Sequence, residues 1–286
     1  MRPLQTYQID RVLNNNVVIT LANGQEEQIV VGRGIGFGVK RGDKLDAQDS
    51  RIEKRFSLVH EENQNHFQQL FSMVPPEVIG IAEEIILLAT TRLECSLHEH
   101  IHVALADHIG FALARLQGGL AIDNPFLDEI RMLYPAEWEV AKVGAQWIEA
   151  RFNVPIPDEE AGFLTLHLHS ATHARGLSET VRVTDSVNMA IKAIENAMGM
   201  EIPRDQFNYA RLLTHLRFAI QRILRGQTIN NPLAEAIMDK LPDSYKIAEQ
   251  AAEEISRRIR IHVPIDEISY LAMHIARITP VSQEPS

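Results

Sequence analysis

The chain has 286 residues, 45% of them hydrophobic, and a formal net charge of −10. That length suffices for two domains with real cores plus a small module, and no run approaches the roughly 18 apolar residues of a membrane span. The balance is uneven: residues 1–58 carry nine Lys/Arg against seven Asp/Glu, and the other 228 carry 19 against 31, so a mildly basic head precedes an acidic body. Such a head suits a polyanion, although ordinary solvated faces would account for two charges equally well.

The amino terminus, Met1-Arg2-Pro3-Leu4-Gln5, lacks the apolar core of a signal peptide, so a cytoplasmic protein is expected. The single Cys95 fits a reducing compartment and reads as a packing residue.

In chain order, Tyr7, Ile9 and Arg11 alternate as in a strand, and Val17 to Leu21 forms a second strand running into Asn23-Gly24, a strong hairpin signal. Ile29-Val30-Val31 supplies the return strand, followed by residues 32–38, with four glycines in seven positions. So much glycine makes sense where the main chain bends tightly or approaches a ligand closely. No Lys-Ser/Thr and no helix pattern follows, so this is no nucleotide-phosphate loop. A last strand over residues 52–58 closes a head of about 58 residues, small enough that self-association would help its core. Asn14-Asn15-Asn16, Arg33 and Phe37 are its exposed-looking chemistry. An amide, a guanidinium and an aromatic ring are tools for unpaired bases in RNA loops and bulges, while Asn triplets also serve as turn residues and Phe37 could be core.

Residues 57–66 read as a polar linker, after which the pattern is helical. A helix is expected over residues 77–93, and Ser96-Leu97-His98-Glu99 has the form of a capping box starting a helix through His108 toward Leu116, stopped by Gly118-Gly119. Asn124-Pro125, Pro135 and Pro157 punctuate the next elements, the last beginning near Asp158 as N-cap and carrying His167.

This plan occurs twice. Shifted by 107 positions, His108 falls on His215, Arg115 on Arg222, Gly119 on Gly226, Asn124-Pro125 on Asn231-Pro232, Pro157 on Pro264, Glu160 on Glu267 and His167 on His274. Ungapped similarity of this period indicates two copies of one helical-bundle domain. Each copy has two histidines separated by 59 positions, one in an early helix and one in the final helix. Three uses stay open for them: inert core residues, metal ligands together with the nearby His98, His100 and His102, or neutral imidazoles that accept a phosphoryl group. Against metal, the His98 cluster has no counterpart in the second copy, and no HExxH arrangement occurs.

The combination of Arg11-Val12-Leu13-Asn14-Asn15-Asn16, Gly32-Arg33-Gly34-Ile35-Gly36-Phe37, Asp107-His108-Ile109, Leu166-His167-Leu168, Thr214-His215-Leu216 and Met273-His274-Ile275 resembles the bacterial phosphotransferase-regulated transcriptional antiterminators, the BglG/SacY/LicT family. The resemblance runs from about residue 6 to residue 279, and residues 96–112 and 124–127 look most like the glucose-responsive branch. It implies an all-β RNA-binding domain (residues 1–58) followed by two homologous all-α phosphotransferase regulation domains (residues 66–171 and 172–286). It also implies a homodimer that holds a stem-loop of a nascent leader transcript through Asn16, Gly32, Arg33 and Phe37. The implied phosphoacceptors are His108 and His167, facing a sugar-specific transporter, and His215 and His274, facing the general phosphocarrier protein. It implies no cofactor, no metal and no catalytic residue. A phosphohistidine relay protein and a metal-binding helical regulator are the alternative readings of the same histidines.

Overall fold

A computed structural model describes residues 6–22, 26–57, 60–173 and 176–278. By their contacts they form two compact units, Met1–Asn124 with Ala136–Leu177, and Pro125–Pro135 with Ser178–Ser286.

The first unit begins with five antiparallel strands, β1 (Thr6–Asn14), β2 (Val17–Ala22), β3 (Glu26–Val31), β4 (Lys44–Asp46) and β5 (Lys54–Ser57), in the order β4-β1-β2-β3-β5. The Asn23-Gly24 hairpin turn lies outside the described residues. β1 slips register against β2 between Ile9 and Arg11 and again between Val12 and Asn14, two bulges that bend and coil the strand. Both faces of the sheet are apolar, so each needs a cover. Tyr7, Ile9, Val18, Val30 and Leu45 close on Ile35 of the glycine-rich loop as a small core of their own. Leu13, Val17, Ile19, Ile29 and Val31 join the helical core of the same unit.

The helices of this unit are α1 (Glu61–Met73), α2 (Pro76–Arg92), α3 (Ile101–Gln117), α5 (Pro135–Phe152) and α6 (Asp158–Thr172), with α4 (Leu127–Leu133) grouped in the second unit. Residues 62–66 of the expected linker lie instead in the first turns of α1, because Phe67, Leu70 and Val74, spaced by about one helical turn, pull that helix onto the core. α2 is buried along Val78, Ile79, Ile81, Ala82, Ile85, Ile86 and Ala89, since the sheet and α3 both pack on it. Its one fully buried charge, Glu83, meets His102 of α3, with Nδ1 2.8 Å from Oε2, and Phe56 of β5 packs edge-on against that imidazole.

The capping box does not form. α3 starts at Ile101 behind His100, with no side-chain cap. Glu99 Oε1 instead accepts from the backbone N–H of His60 at 3.0 Å and from Asn63 Nδ2 at 2.7 Å, anchoring the start of α1. Asp158 is likewise the first residue of α6 rather than its cap, which is Pro157, and its carboxylate pairs with Lys142.

The second unit contains α4, α7 (Leu177–Met198), α8 (Phe207–Leu224), α9 (Ala234–Lys240), α10 (Pro242–Ile259) and α11 (Ile265–Ile278). Adding 107 to the bounds of α4 and α5 gives those of α9 and α10. Backbone punctuation repeats with it: Gly119 and Gly226 have φ of 74° and 65°, Asn153 and Arg260 have 53° and 57°. α4 is held by long-range bonds within this unit, from Tyr209 Oη to Glu129 Oε1 at 3.1 Å and from Arg217 Nη1 to the Leu133 carbonyl at 2.9 Å. Burial, then Glu129, raise the pKa of the Tyr209 phenol, so it stays a donor.

Candidate functional site

The head presents its polar residues where the β1–β2 turn meets the glycine-rich loop. Asn16 joins the two: its carbonyl accepts from Gly32 N–H at 2.9 Å, and its Oδ1 accepts from Gly34 N–H at 2.9 Å. Glycine is needed because the chains nearly touch. A Cβ on Gly32 would lie 2.0 Å from the Arg51 carbonyl oxygen, and one on Gly36 would lie 2.1 Å from that of Asn14. The loop projects Arg33 and Phe37 into solvent, Phe37 at 73% exposure. A cation and an unpaired aromatic face thus stand beside a rigid backbone, a suitable arrangement for phosphate contact and base stacking.

Asn14 departs from expectation. It is 8% exposed and belongs to the support of the site: its Oδ1 accepts from Asn16 N–H at 2.7 Å, while its Nδ2 donates to Glu84 Oε1 at 2.8 Å. Asn16 Nδ2 donates to the other oxygen, Glu84 Oε2, at 3.0 Å. One carboxylate on α2 therefore holds both amides, and α2 comes this close because position 80 is glycine, where a Cβ would lie 2.4 Å from Asn14 Nδ2. The cleft beside this contact, about 440 Å³, is lined by Asn16, Gly32, Arg33 and Glu84 together with Leu88 and Trp147.

The two histidines of each copy meet ring to ring, tilted in the first copy and stacked in the second. α3 and α6 bring the His108 and His167 ring centroids to 4.9 Å, and α8 and α11 bring His215 and His274 to 4.6 Å. Beside each pair lies a buried carboxylate from the first turn of the last helix. His108 Nε2 is 3.4 Å from Glu160 Oε2, and His215 Nε2 is 3.9 Å from Glu267 Oε2. An arginine two turns beyond each first histidine engages that carboxylate: Arg115 binds Glu160 through Nη2, while Arg222 binds Glu267 twice, at 2.8 Å through Nε and 2.9 Å through Nη2. These arginines and glutamates are visible in the 107-residue repeat, but only the folded chain brings them to the histidines.

Burial and the neighbouring His108 and His100 lower the His167 pKa from 6.5 to about 3. Burial, His274 and Arg222 do the same to His215, and burial with Arg277 and Arg211 lowers that of His274. These imidazoles are neutral near pH 7 and retain a nucleophilic lone pair. For Glu160, burial pushes the pKa up, but His108 and Arg115 outweigh it and hold the carboxyl below its ordinary value. Phe111 and Phe218, three positions beyond the first histidine of each copy, are exposed.

Of the nearby cluster, His98 and His100 face each other at 2.8 Å between Nδ1 atoms, and His102 is engaged by Glu83. Among the described residues no set of three or more His, Cys, Asp or Glu side chains is placed to hold a metal ion. Among them too, no helix is long and apolar enough to cross a membrane.

Comparison with known proteins places both parts. Residues 7–65 match the CAT RNA binding domain, and residues 83–171 and 188–278 each match the PRD domain. The chain is 33% identical over 280 residues to the beta-glucoside operon antiterminator of Dickeya chrysanthemi, covering 96% of this chain and 98% of that one. It is 31% identical over 273 residues to the transcription antiterminator LicT of Bacillus subtilis, covering 94% and 98%. It is also 31% identical over 271 residues to the protein GlcT of Staphylococcus haemolyticus, covering 94% and 95%. Among solved structures, a crystal structure of GlcT CAT-PRDI matches with 38% identity and a TM-score of 0.49, over 58% of this chain and 98% of that one.

Proposed function

The chain belongs to the antiterminator family that joins a CAT RNA-binding domain to two PRD domains, and from that premise we infer that it binds a stem-loop in a nascent leader transcript of a sugar-utilisation operon. Holding that stem-loop excludes the overlapping terminator stem, so transcription continues. The observation that carries this reading is the placement of Arg33 and Phe37, both exposed on the loop that Asn16 and Gly32 stitch to the β1–β2 turn. Asn16, Gly32, Arg33 and Phe37 are the RNA-contacting residues: Phe37 stacks on an unpaired base, Arg33 meets phosphate, and Gly32 lets the backbone approach closely.

Activity is set by phosphorylation of His108, His167, His215 and His274. The first pair takes its phosphoryl group from a sugar-specific transporter and the second from the general phosphocarrier protein. The active species is a homodimer. Each phosphoryl adds roughly two negative charges, and the exposed Phe111 and Phe218, three positions beyond His108 and His215, offer apolar surface to a second copy. Moving such a dimer from mostly inactive to mostly active takes a few kcal/mol, within reach of one or two dianions at an interface.

Fluorescence anisotropy with a stem-loop containing internal unpaired bases tests the RNA half. Phe37→Ala in the full chain should lower affinity at least about tenfold, the loss of one stacked base, with circular dichroism unchanged. Unaltered affinity would overturn the assignment.

A further inference from the structure

Each histidine pair stands beside an Arg–Glu pair that the regulatory reading leaves without a task. The unit is four residues, His108, Arg115, Glu160 and His167, and it recurs 107 positions later as His215, Arg222, Glu267 and His274. Glu160 and Glu267 are 1% and 3% exposed.

A structural clamp between helices accounts for the Arg–Glu contacts but not for what faces them. His108 Nε2, Glu160 Oε2 and Arg115 Nε are all buried without a hydrogen-bond partner, and so is His215 Nε2 in the second copy. At 3.4 Å, His108 Nε2 and Glu160 Oε2 are close but misaligned for a hydrogen bond. Leaving such groups buried and unpaired is costly. What would relieve it is a group that bonds to Nε2 and is itself an acceptor for a guanidinium.

We propose that Arg115 and Arg222 are the phosphoryl-binding residues of the two sites, and that Glu160 and Glu267 occupy them until a phosphoryl group displaces the carboxylate. This rests on the reading that these histidines are phosphorylated. In the step itself, the Nε2 lone pair of His108 attacks the phosphorus of a donor phosphohistidine that is protonated on its other ring nitrogen. The donor's N–P bond breaks, its electron pair returns to the donor imidazole, and His108 keeps its Nδ1 proton. The new dianion lies against Glu160, a like charge, and the Arg115 fork turns from carboxylate to phosphoryl oxygens, which it fits equally well. Glu160 is in the first turn of α6 and Glu267 in that of α11, so each expelled carboxylate loosens the helix that carries the second histidine. In the second copy Arg222 is bound twice by Glu267, so that site is the more tightly held before transfer.

The test is histidine phosphorylation in the full chain, read per site by mass spectrometry at neutral pH. The donors are the phosphorylated protein assigned to each pair, the sugar-specific transporter for His108 and the general phosphocarrier protein for His215, and phosphoramidate, which phosphorylates histidine without a protein partner. Glu160→Gln should raise occupancy at His108 and Arg115→Gln should lower it. Glu267→Gln and Arg222→Gln should do the same at His215. Partners in a purely structural ion pair would shift occupancy in the same direction, so opposite signs separate the two roles. Should Arg115→Gln fail to fold, the neutral pair Arg115→Gln/Glu160→Gln replaces it and should fall at least about tenfold below Glu160→Gln alone. Equal occupancy in those two, or losses in both single variants, would overturn the proposal. Phosphorylation by phosphoramidate but not by the assigned protein would remove that protein as donor and leave the Arg/Glu comparison to decide this proposal. No phosphorylation by any donor would end both.

Discussion

Asn16 Nδ2 donates to Glu84 Oε2 at 3.0 Å, across 68 positions of sequence. The amide assigned to RNA is thus held by a carboxylate on α2 of the first helical domain, and its Oδ1 is already committed to Gly34 N–H. RNA that uses the amide has to replace Glu84. Glu84→Ala in the full chain should therefore raise stem-loop affinity by about three- to tenfold, the scale of one charge-assisted hydrogen bond no longer broken on binding. Anisotropy titration checks it, and an unchanged or weaker affinity would contradict it.

Gly36→Ala probes the other side of the same junction. Its Cβ would be placed 2.1 Å from the Asn14 carbonyl oxygen, a backbone atom that cannot swing aside. The glycine-rich loop should separate from the β1–β2 turn at a cost of about 2–4 kcal/mol, with RNA binding lost. Hydrogen exchange should show deprotection within residues 6–57 and none in α7 to α11; protection retained throughout the head would refute the close-packing argument.

The polar contact between α2 and α3 supports both halves. Glu83 is fully buried and His102 is 4% exposed. Removing one partner leaves the other desolvated and unpaired, so Glu83→Ala should destabilise by about 3–5 kcal/mol, and Glu83→Gln, which can still hydrogen-bond, by much less. Chemical denaturation of the two variants gives the comparison, and equal losses would count against a specific contact.

Acidification should weaken the fold through the histidines. His167 and His215 have folded pKa values of about 3 against 6.5 when unburied, so the unfolded chain binds protons first as pH falls. Their full contribution is present above pH 6.5 and is lost progressively as pH falls from there toward 3. The slope is about 1.4 kcal/mol per pH unit for each histidine. Thermal melts between pH 7.5 and 5 should show Tm falling, and His167→Asn should flatten the fall. A Tm that holds steady or rises on acidification would contradict the burial of neutral imidazoles.

Much of this architecture is legible in the chain alone, because duplication writes it twice. The equal separation of His108 from His167 and of His215 from His274 marks the two pairs in the sequence, while only the packing of the helices brings their rings to 4.9 and 4.6 Å. Local patterns misled where distant partners prevailed. The capping-box glutamate, Glu99, is drawn off to His60 and Asn63, and the polar run from Glu61 to His66 hides a helix whose buried face begins only at Phe67. The Asn14 and Asn16 contacts to Glu84 have no local signature, since they depend on two strand-turn residues meeting a helix about 70 positions away. Arg115 and Glu160 stand 45 positions apart and acquire meaning only when α3 and α6 pack side by side.

The most direct test of the whole is to titrate one stem-loop with the unmodified chain and with the same chain after phosphoryl transfer, recording which histidines carry phosphate. The account expects modification confined to His108, His167, His215 and His274, with stem-loop affinity or dimer fraction shifting as it proceeds. Binding that stays the same while those four sites fill, or a chain in which none of them ever fills, would contradict it.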